Sequence, residues 1–468
     1  PFIYNHTLDF SKIGKSGLYY LEIYQESKSH PFKVEDNPYT GLIDLFLRFM
    51  RAARCGNTEP DFHGPCHVHD ATNVNLDVTG GWHDAGDYIK FSKKESYVTY
   101  LLLLTYAENV KDADQFSDLN SNGLPDVIDE AKIGLDYLLK LYPDEDTFVY
   151  RVGDLKWDHR QGMRMPESDK LAKNQRPALI GFDRNNLAKY AYTMALGANV
   201  FKDFPQFGKE VETYLQLAKR AYEKAMQIED DHFDKLCLAA TELYRVTEKP
   251  EYLIDARKFN DRLTRSDGGS YDTNVNFAHA RLAPYYDKAR LKLRASLALM
   301  LSTSNQRAFG YTTRRYLWGS LYRCLSGGSA AWLYESLTGD PTYDVVNRRI
   351  RDFTLGVNPW GVCFVSGVGT VYPKSTHGNL PFVLEKKGVL KEAALPGSVA
   401  LGPVDRSYWE KEWHHLVPTA RDDIYAEFQP PDCLYHDHPH DFVTNEPCIY
   451  GSAEAILFFS QFMRSRSQ

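Results

Sequence analysis

The chain has 468 residues, 43% of them hydrophobic and 25% charged, which is an ordinary composition for a globular protein. No apolar run approaches the ~18 residues that a transmembrane helix needs, so we expect no helical membrane span. Lysine and arginine number 55 and aspartate and glutamate 62, which gives a net charge of -7. No basic block is dense enough to follow a phosphate backbone, so we expect no nucleic-acid partner.

The beginning of the chain has a different pattern from the rest. Patches rich in β-forming residues run from Phe2 to Val34, for example Leu18 to Tyr24, and they stop near a boundary marked by Pro31. The pattern predicts that residues 1–33 are the last part of a small β-sandwich. Residues 34–468 are then a second, larger domain.

From Tyr39 onward, apolar residues return every three to four positions, the period of amphipathic helices. About twelve helices are predicted: Leu42–Ala53, Tyr97–Val110, Val127–Tyr142, Leu187–Phe201, Val211–Met226, Phe233–Val246, Tyr252–Leu263, Phe277–Tyr286, Leu291–Leu301, Ala330–Leu337, Val345–Leu355 and Ala453–Phe462. Val/Ile runs typical of parallel strands are absent between them, which argues against a β/α barrel or a doubly wound sheet. We therefore predict a mainly α fold, a toroid of paired helices.

Two long connections interrupt the helices, Asn57–Asp84 and Asn358–Asn445, and loops of this length usually carry function. The first leads into a glycine-rich cluster that holds Trp82, Asp84 and Asp87. Two carboxylates three residues apart, held between glycines that allow tight turns, can orient one water molecule for attack.

Glu446 follows the second connection, just before the last predicted helix. Its aromatic and proline-rich surroundings would desolvate the carboxyl group and raise its pKa, which suits a general acid. The alternative is that Glu446 only complements the dipole of that helix.

These segments resemble the signatures of glycoside hydrolase family 9, the inverting β-glycanases that include many cellulases. The motifs that carry the resemblance are D-A-G-D at Asp84–Asp87, the segment with Tyr435, Asp437, Phe442 and Glu446, Leu355–Pro359, Val365–Gly369 leading to His377, and Val152–Asp154 with Asp158 and His159. The resemblance covers about Val34 to Phe462. It implies an (α/α)6 toroid, preceded by the remnant of an Ig-like β-sandwich.

The resemblance also implies roles for individual residues. Asp87 becomes the general base, Asp84 its partner in holding the nucleophilic water, Glu446 the general acid and Asp437 a supporting carboxylate. Two histidines, His159 and His377, match positions that line the sugar site next to the scissile bond.

Two departures from the family pattern lie in this sugar-contacting part of the site. The family's H-x-R becomes His377-Gly378-Asn379, and its D-Y-N after the catalytic glutamate becomes Tyr450-Gly451-Ser452. We therefore expect Asn379 and Tyr450 to contact substrate and to affect which sugar is accepted.

Two groups of residues have the chemistry of metal sites. A closed tetrahedral zinc set of two thiolates and two imidazoles is predicted at Cys55, Cys66, His67 and His83. His63 and His69 are competing ligands. The same four positions resemble a zinc site in a branch of the family, which implies a structural metal. Because His83 precedes Asp84, such a metal would hold the loop that carries both aspartates.

The second group has the ligand spacing of an EF-hand calcium loop. Oxygen ligands are predicted at Asp118, Asn120, Asn122, the carbonyl of Leu124, Asp126 and Asp129, with Gly123 at the turn. The alternative is an Asn/Gly turn before a charged helix start. We expect no organic cofactor.

The leading functional hypothesis is an inverting hydrolase of β-1,4-glycosidic bonds in glucans or their oligosaccharides. An exo-β-D-glucosaminidase acting on chitosan-type oligosaccharides is the first alternative, because the family's Arg is replaced by the neutral Asn379. A carbohydrate-binding protein without catalysis and a zinc hydrolase are the others. Seven irregularly spaced cysteines favour a cytoplasmic location slightly, with secreted and periplasmic locations left open.

Overall fold

The structure is a computed structural model that describes residues 8–10, 12–23, 27–39, 41–71, 73–109, 116–153, 164–168, 176–264, 274–415 and 423–463. Its helices are α1 (Leu42–Ala53), α2 (Ser92–Glu108), α3 (Asp126–Leu141), α4 (Arg184–Phe201), α5 (Gly208–Met226), α6 (Phe233–Thr247), α7 (Pro250–Arg262), α8 (Val275–Leu282), α9 (Asp287–Asn305), α10 (Ser320–Thr338), α11 (Asp344–Thr354), α12 (Asn379–Lys386), α13 (Arg406–Glu412) and α14 (Ile449–Ser460).

Six helices form a closed inner ring. Helix α2 packs on α4, α4 on α6, α6 on α8, α8 on α10, α10 on α14, and α14 again on α2. Each has an outer partner: α3 packs on α2, α5 on α4, α7 on α6, α9 on α8, α11 on α10 and α1 on α14. The predicted (α/α)6 toroid is therefore confirmed.

The sequence of each helix explains its layer. All twelve residues of α14 are buried, and in α4 only Asn199 is not, because other parts of the protein surround both helices. In α5, by contrast, the buried residues form one stripe: Tyr214, Ala218, Ala221, Tyr222 and Ala225. That spacing is the single apolar face of an outer helix.

Helix α10 begins ten residues before the predicted Ala330. Its first half contains Gly327 and Gly328, where an added Cβ would lie 2.2 Å from Met300 Cε and 2.4 Å from Phe458 Cε2. These glycines allow close packing but interrupt the apolar period. Helices α12 and α13 lie inside the segment predicted as a connection, and both have eight residues or fewer.

The strands are short: β1 (Gly17–Tyr19), β2 (Glu22–Ile23), β3 (Ser27–Lys28), β4 (Phe32–Val34), β5 (Lys90–Phe91), β6 (Val149–Val152), β7 (Ala178–Ile180), β8 (Val404–Asp405) and β9 (Cys433–Leu434). In the first part of the chain, β1 pairs with β4 and β2 with β3, both antiparallel. That residues 1–33 end an Ig-like sandwich stays a prediction.

The sheet β5-β6-β7 lies next to the ring, because β5 is followed directly by α2. All seven cysteines are buried, and no disulfide joins them. Within the described ranges, no helix combines the length and the apolar character needed to cross a bilayer.

Candidate active site

The 80–88 loop, which carries Asp84 and Asp87, is held by backbone geometry and by buried acids. Gly80 and Gly81 have φ values of 113° and 71°, a region that favours glycine. The buried ring of Trp82 donates from Nε1 to Glu130 Oε1 (2.7 Å). The N–H of Asp84 donates to the carbonyl of Ile89 (2.9 Å), and the N–H of Ile89 to Asp87 Oδ1 (3.1 Å), which closes the loop.

Glu446 meets this loop at Gly86. The N–H of Gly86 donates to Oε1 of Glu446 at 3.0 Å. A Cβ on Gly86 would lie 3.0 Å from that oxygen, from His377 Cδ2 and from Gly378 Cα, so a side chain at this position would crowd all three neighbours. The N–H of Ile449, the first residue of α14, donates to the carbonyl of Asp84 (3.0 Å). The site therefore lies at the N-terminal ends of the neighbouring inner helices α2 and α14.

Burial controls the ionisation of these acids. Desolvation raises the pKa of the Glu446 carboxyl well above its usual range, and the nearby charge of Asp87 raises it further. Desolvation also raises the pKa of Asp84, while Lys94 and Lys93 oppose the shift. Oδ1 of Asp84 is buried and has no hydrogen-bond partner within the described chain. The arrangement favours a proton on Glu446 next to the loop that carries Asp84 and Asp87.

Lys94 is a site residue that sequence reasoning missed. It lies in the first turn of α2, where the helix dipole disfavours a cation. Its Nζ is 3.8 Å from the centroid of the Tyr450 ring, and its charge lowers the pKa values of Asp84 and Glu446. Adjacent lysines at the start of an apolar helix were the signal available in the sequence.

Asp437, the predicted supporting carboxylate, holds a loop through hydrogen bonds to its backbone. Asp437 accepts from the N–H groups of Lys374 (2.8 Å) and Ser375 (3.0 Å) and from Nδ2 of Asn445 (3.3 Å). These bonds fix the segment that leads to His377. Asp437 is thus next to the site, with its oxygens turned to the backbone of this segment.

The predicted sugar contacts are brought together in part. His377 is buried, with Nδ1 2.7 Å from the carbonyl of Pro439. The N–H of Asn379 donates to the carbonyl of Gly86 (2.9 Å), and its buried Oδ1 has no hydrogen-bond partner among the described residues. Tyr450 is buried against Tyr322, with ring centroids 5.1 Å apart. His159 lies outside the described residues, as do Asp154 and Asp158.

The structure also brings four potential metal ligands together beside the loop. The ligand atoms of Cys55, Cys66, His67 and His83 lie within 4.8 Å of one another. Each Sγ···N contact, Cys55 with His67 Nδ1 and Cys66 with His83 Nε2, is 3.6 Å, and the two histidine nitrogens are 3.2 Å apart. A tetrahedral zinc ion separates sulfur and nitrogen ligands by about 3.5 Å, so this group fits one.

Ionisation in this group suits a metal at His83 and Cys55, whereas the hydrogen bond with Cys55 and burial raise the pKa of the Cys66 thiol. Burial lowers the pKa of His83 to about 4, which leaves a neutral imidazole. Burial opposes ionisation of Cys55, but the Cys66 thiol and the Lys90 ammonium outweigh it and lower the pKa of Cys55. His63, a competing ligand in the sequence, instead has its ring nitrogens 2.8 and 3.1 Å from two backbone carbonyl oxygens.

The predicted calcium loop is compact. Asp118 accepts from the N–H groups of Asn122 (3.1 Å) and Gly123 (3.0 Å), and the side-chain amides of Asn120 (2.7 Å) and Asn122 (3.0 Å) reach Asp129. Two further predicted ligands, Leu124 and Asp126, follow this turn. The N–H of Leu124 donates to Asn122, and Asp126 is the first residue of α3. These hydrogen bonds bring Asp118, Asn120, Asn122 and Asp129 together. That the loop binds calcium stays a prediction.

Comparisons with known proteins agree with this architecture. A family profile described as Glycosyl hydrolase family 9 matches residues 39–459. A cellodextrinase from Butyrivibrio fibrisolvens is 24% identical, with 97% of this chain and 89% of the relative covered. A xyloglucan-specific endo-β-1,4-glucanase from Bacteroides ovatus is 25% identical, with 97% and 83% covered.

Solved structures share the fold. A metagenome-derived glycoside hydrolase family 9 endoglucanase superposes with a TM-score of 0.81 at 22% identity, over 97% of this chain and 86% of that chain. A zinc-binding triple mutant of another family 9 endoglucanase has a TM-score of 0.79 at 22% identity, over 98% of this chain and 91% of that chain.

Glu446→Gln is expected to raise the free energy of unfolding at neutral pH. The folded protein keeps the Glu446 proton, whereas the unfolded chain releases it above its ordinary pKa of about 4.3, so the wild type loses stability as pH rises from there. Glutamine has no such loss and keeps an oxygen for the Gly86 N–H. Urea unfolding between pH 4 and pH 8 measures the difference, which should vanish at the acidic end.

Asp441→Asn is the matched control with the opposite sign. Burial opposes ionisation of Asp441, but His436 and the N–H and hydroxyl of Thr444 outweigh it and lower its pKa. Its stabilisation is present above the ordinary pKa and is lost as pH falls, so the asparagine variant should be less stable at pH 7. A Glu446→Gln variant no more stable than wild type at pH 7 and 8 would contradict the assignment.

Proposed function

The chain belongs to glycosyl hydrolase family 9, and from this membership we propose that it hydrolyses β-1,4-glycosidic bonds in glucans or their oligosaccharides. It is therefore a glycoside hydrolase, as the sequence predicts. The observation that carries the proposal is the contact of Glu446, a carboxyl group whose pKa burial raises, with the loop that carries Asp84 and Asp87.

The roles follow from charge. Asp87 is the general base, Asp84 helps to orient the attacking water, and Glu446 protonates the leaving-group oxygen. An inverting hydrolase needs its acid and base about 6.5 to 9.5 Å apart so that water fits between base and sugar. Desolvation supports Glu446 as the acid, because a carboxyl group with an ordinary pKa has lost its proton at neutral pH.

The surrounding residues support this chemistry. His377, Asn379 and Tyr450 are proposed to form the sugar-facing wall, and Asp437 to hold the segment before His377 in place. Tyr450 acts in this proposal as the aromatic support for Lys94. The ring contact at 3.8 Å is the observation behind that role.

Hydrolysis is expected to invert the anomeric centre. Proton NMR in the first minutes of reaction on a β-linked oligosaccharide should show the α anomer first. Asp87→Asn and Glu446→Gln should each lower kcat by orders of magnitude with the fold intact, because each removes one proton-transfer step. Initial appearance of the β anomer would refute the mechanism, and an Asp84→Asn variant with wild-type kcat would refute the role of Asp84.

We further propose that Cys55, Cys66, His67 and His83 hold a structural zinc ion. Four protein ligands leave no open position for substrate. The chain around these ligands is tied to the 80–88 loop: the N–H of Cys55 donates to the carbonyl of Gly81, and that of His83 to the carbonyl of Ala53, both at 2.8 Å. The Asp118 loop is proposed to bind calcium, on the basis of its ligand spacing.

Removal of the metals is expected to lower Tm. A metal that binds only the folded state stabilises it by mass action, so purified protein should contain about one zinc ion per chain and prolonged chelation should lower Tm. For calcium, Asp118→Ala should abolish any rise of Tm on adding the ion.

Asp136→Ala is the matched control for the calcium experiment, because Asp136 is an exposed acid of α3 outside the loop. It should leave the calcium response unchanged. Purified protein without zinc would contradict the zinc site. An equal rise of Tm with calcium in Asp118→Ala and wild type would contradict the calcium site.

One observation favours a second candidate, an exo-β-D-glucosaminidase. The buried Oδ1 of Asn379 lacks a donor in the described chain, and a sugar ammonium or hydroxyl group could supply one. The family pattern has an Arg at this position, whose charge would repel an ammonium group by roughly 1 to 4 kcal/mol.

Asn379→Arg separates the two substrates. If the site accepts glucosamine, the variant should lose kcat/KM on a glucosamine tetramer far more than on cellotetraose, because only the former carries ammonium groups. The ratio of kcat/KM values for the two substrates is the measurement, with wild type as reference. A wild type that prefers cellotetraose and a ratio unchanged by the substitution would exclude the amine candidate.

A further inference from the structure

Three charged side chains are buried together behind the 80–88 loop. Asp70 has 1% of its side chain exposed, Lys90 none and Arg176 7%. They lie far apart in sequence, and none belongs to the metal group or to the acids that face the substrate. Burying such charges costs free energy unless each is paired and hydrogen-bonded, so their contacts identify what they hold.

Lys90 holds the entrance of the loop. Its Nζ lies 3.0 Å from Asp70 Oδ2 and donates to the carbonyls of Val78 (3.1 Å) and Gly80 (3.0 Å). An ammonium group has three N–H donors, and these three acceptors use all of them. The charge also lies 4.8 Å from the centroid of the Tyr137 ring. Lys90 thus fixes the backbone directly before Gly81 and Trp82.

Arg176 holds the exit of the loop. Its Nε donates to Asp70 Oδ1 at 2.7 Å, and its Nη2 donates to the carbonyl of Tyr88 at 2.9 Å. Tyr88 directly follows Asp87. The backbone of Arg176 is fixed in turn, because its carbonyl accepts from the N–H of Ala71 (3.1 Å).

We propose that Asp70 is a positioning residue for the reaction: through Lys90 and Arg176 it holds both ends of the loop that carries Asp84 and Asp87. One carboxylate pairs with both cations, and each cation binds a carbonyl on a different side of the loop. The inference rests on the proposed function, since it assigns the loop's aspartates to catalysis.

The irregular backbone of the loop explains why charged groups hold its carbonyls. Residues 80–88 form no regular secondary structure, so their carbonyls need donors from elsewhere. Ammonium and guanidinium groups make stronger hydrogen bonds to carbonyls than neutral donors do. Because misplacing a reacting group by 1 Å can cost about a hundredfold in rate, a rigid frame around Asp87 has a direct effect on kcat.

The test compares Arg176→Lys with wild type. Lysine keeps the charge but lacks the planar fork that reaches Asp70 and the Tyr88 carbonyl together. We expect kcat to fall about ten- to a hundredfold with KM within about twofold, because the loss affects the aspartates rather than sugar binding. Zinc content should not change. If the Asp70→Asn variant folds, it should lose kcat to the same extent. If it does not fold, the result for Arg176→Lys alone tests the positioning role of Asp70.

Arg281→Lys is the matched control. Arg281 is 4% exposed and pairs through Nε with Glu242 (2.6 Å) in the helical ring, so it tests the loss of a comparable buried ion pair away from the loop. It should lower Tm and leave kcat within about twofold of wild type. Equal losses of kcat in both variants, or a wild-type kcat in Arg176→Lys, would overturn the proposal.

Hydrogen exchange of the peptide that spans residues 80–89 gives a readout independent of activity. Exchange should be faster in Arg176→Lys and unchanged in Arg281→Lys. Unchanged exchange in Arg176→Lys would refute the anchoring even if the wild type hydrolysed β-glucans. An inactive wild type with faster exchange in Arg176→Lys would refute the proposed function instead.

Discussion

The hydrogen bond from the Gly86 N–H to Glu446 joins residues 360 positions apart. It forms because the helical ring brings the two segments together. The inner ring brings α14 beside α2, and each of these helices is preceded by one half of the site. A Cβ at position 86 would crowd this carboxyl group, because the two would be 3.0 Å apart. The site is therefore a product of ring closure, and neither half has its chemistry alone.

The same short segment shows how donors tune buried acids. Asp441, Asp437 and Glu446 are all nearly inaccessible, and burial raises the pKa of each. Asp441 accepts from His436 and from several backbone and hydroxyl donors, which reverse the shift. Asp437 has three donors, which reduce the upward shift of its pKa. Glu446 has one backbone donor and an aspartate nearby, so its pKa is raised the most of the three. The number of donors, more than the depth of burial, separates a structural anion from an acid that can deliver a proton.

The sequence predicted the parts of the molecule whose signals are local. The apolar period located α1 to the residue, and Asp84 and Asp87 share one loop because they are neighbours in sequence. The catalytic roles of Asp84, Asp87 and Glu446 remain predictions. The buried ion pair of Asp70 and Arg176 was missed because the two residues are 106 positions apart and, in the sequence, look like ordinary surface charges. Lys94 was missed for a related reason, since only the fold shows that the start of α2 faces Glu446. The Ig-like character of residues 1–33 and the cellular location remain predictions.

Closure of the ring also constrains how the chain folds. Helix α14 contacts α1, α2 and α10, so it fills a gap in the ring that stays open until α14 itself has been synthesised. Until then, the apolar faces of α2 and α10 that it covers are exposed to water and to other chains. Contacts between the two ends of a long chain form slowly, because loop-closure entropy is lost before they are made. A chain that still lacks α14 and the segment before it therefore has neither a closed inner ring nor the contact between Glu446 and Gly86.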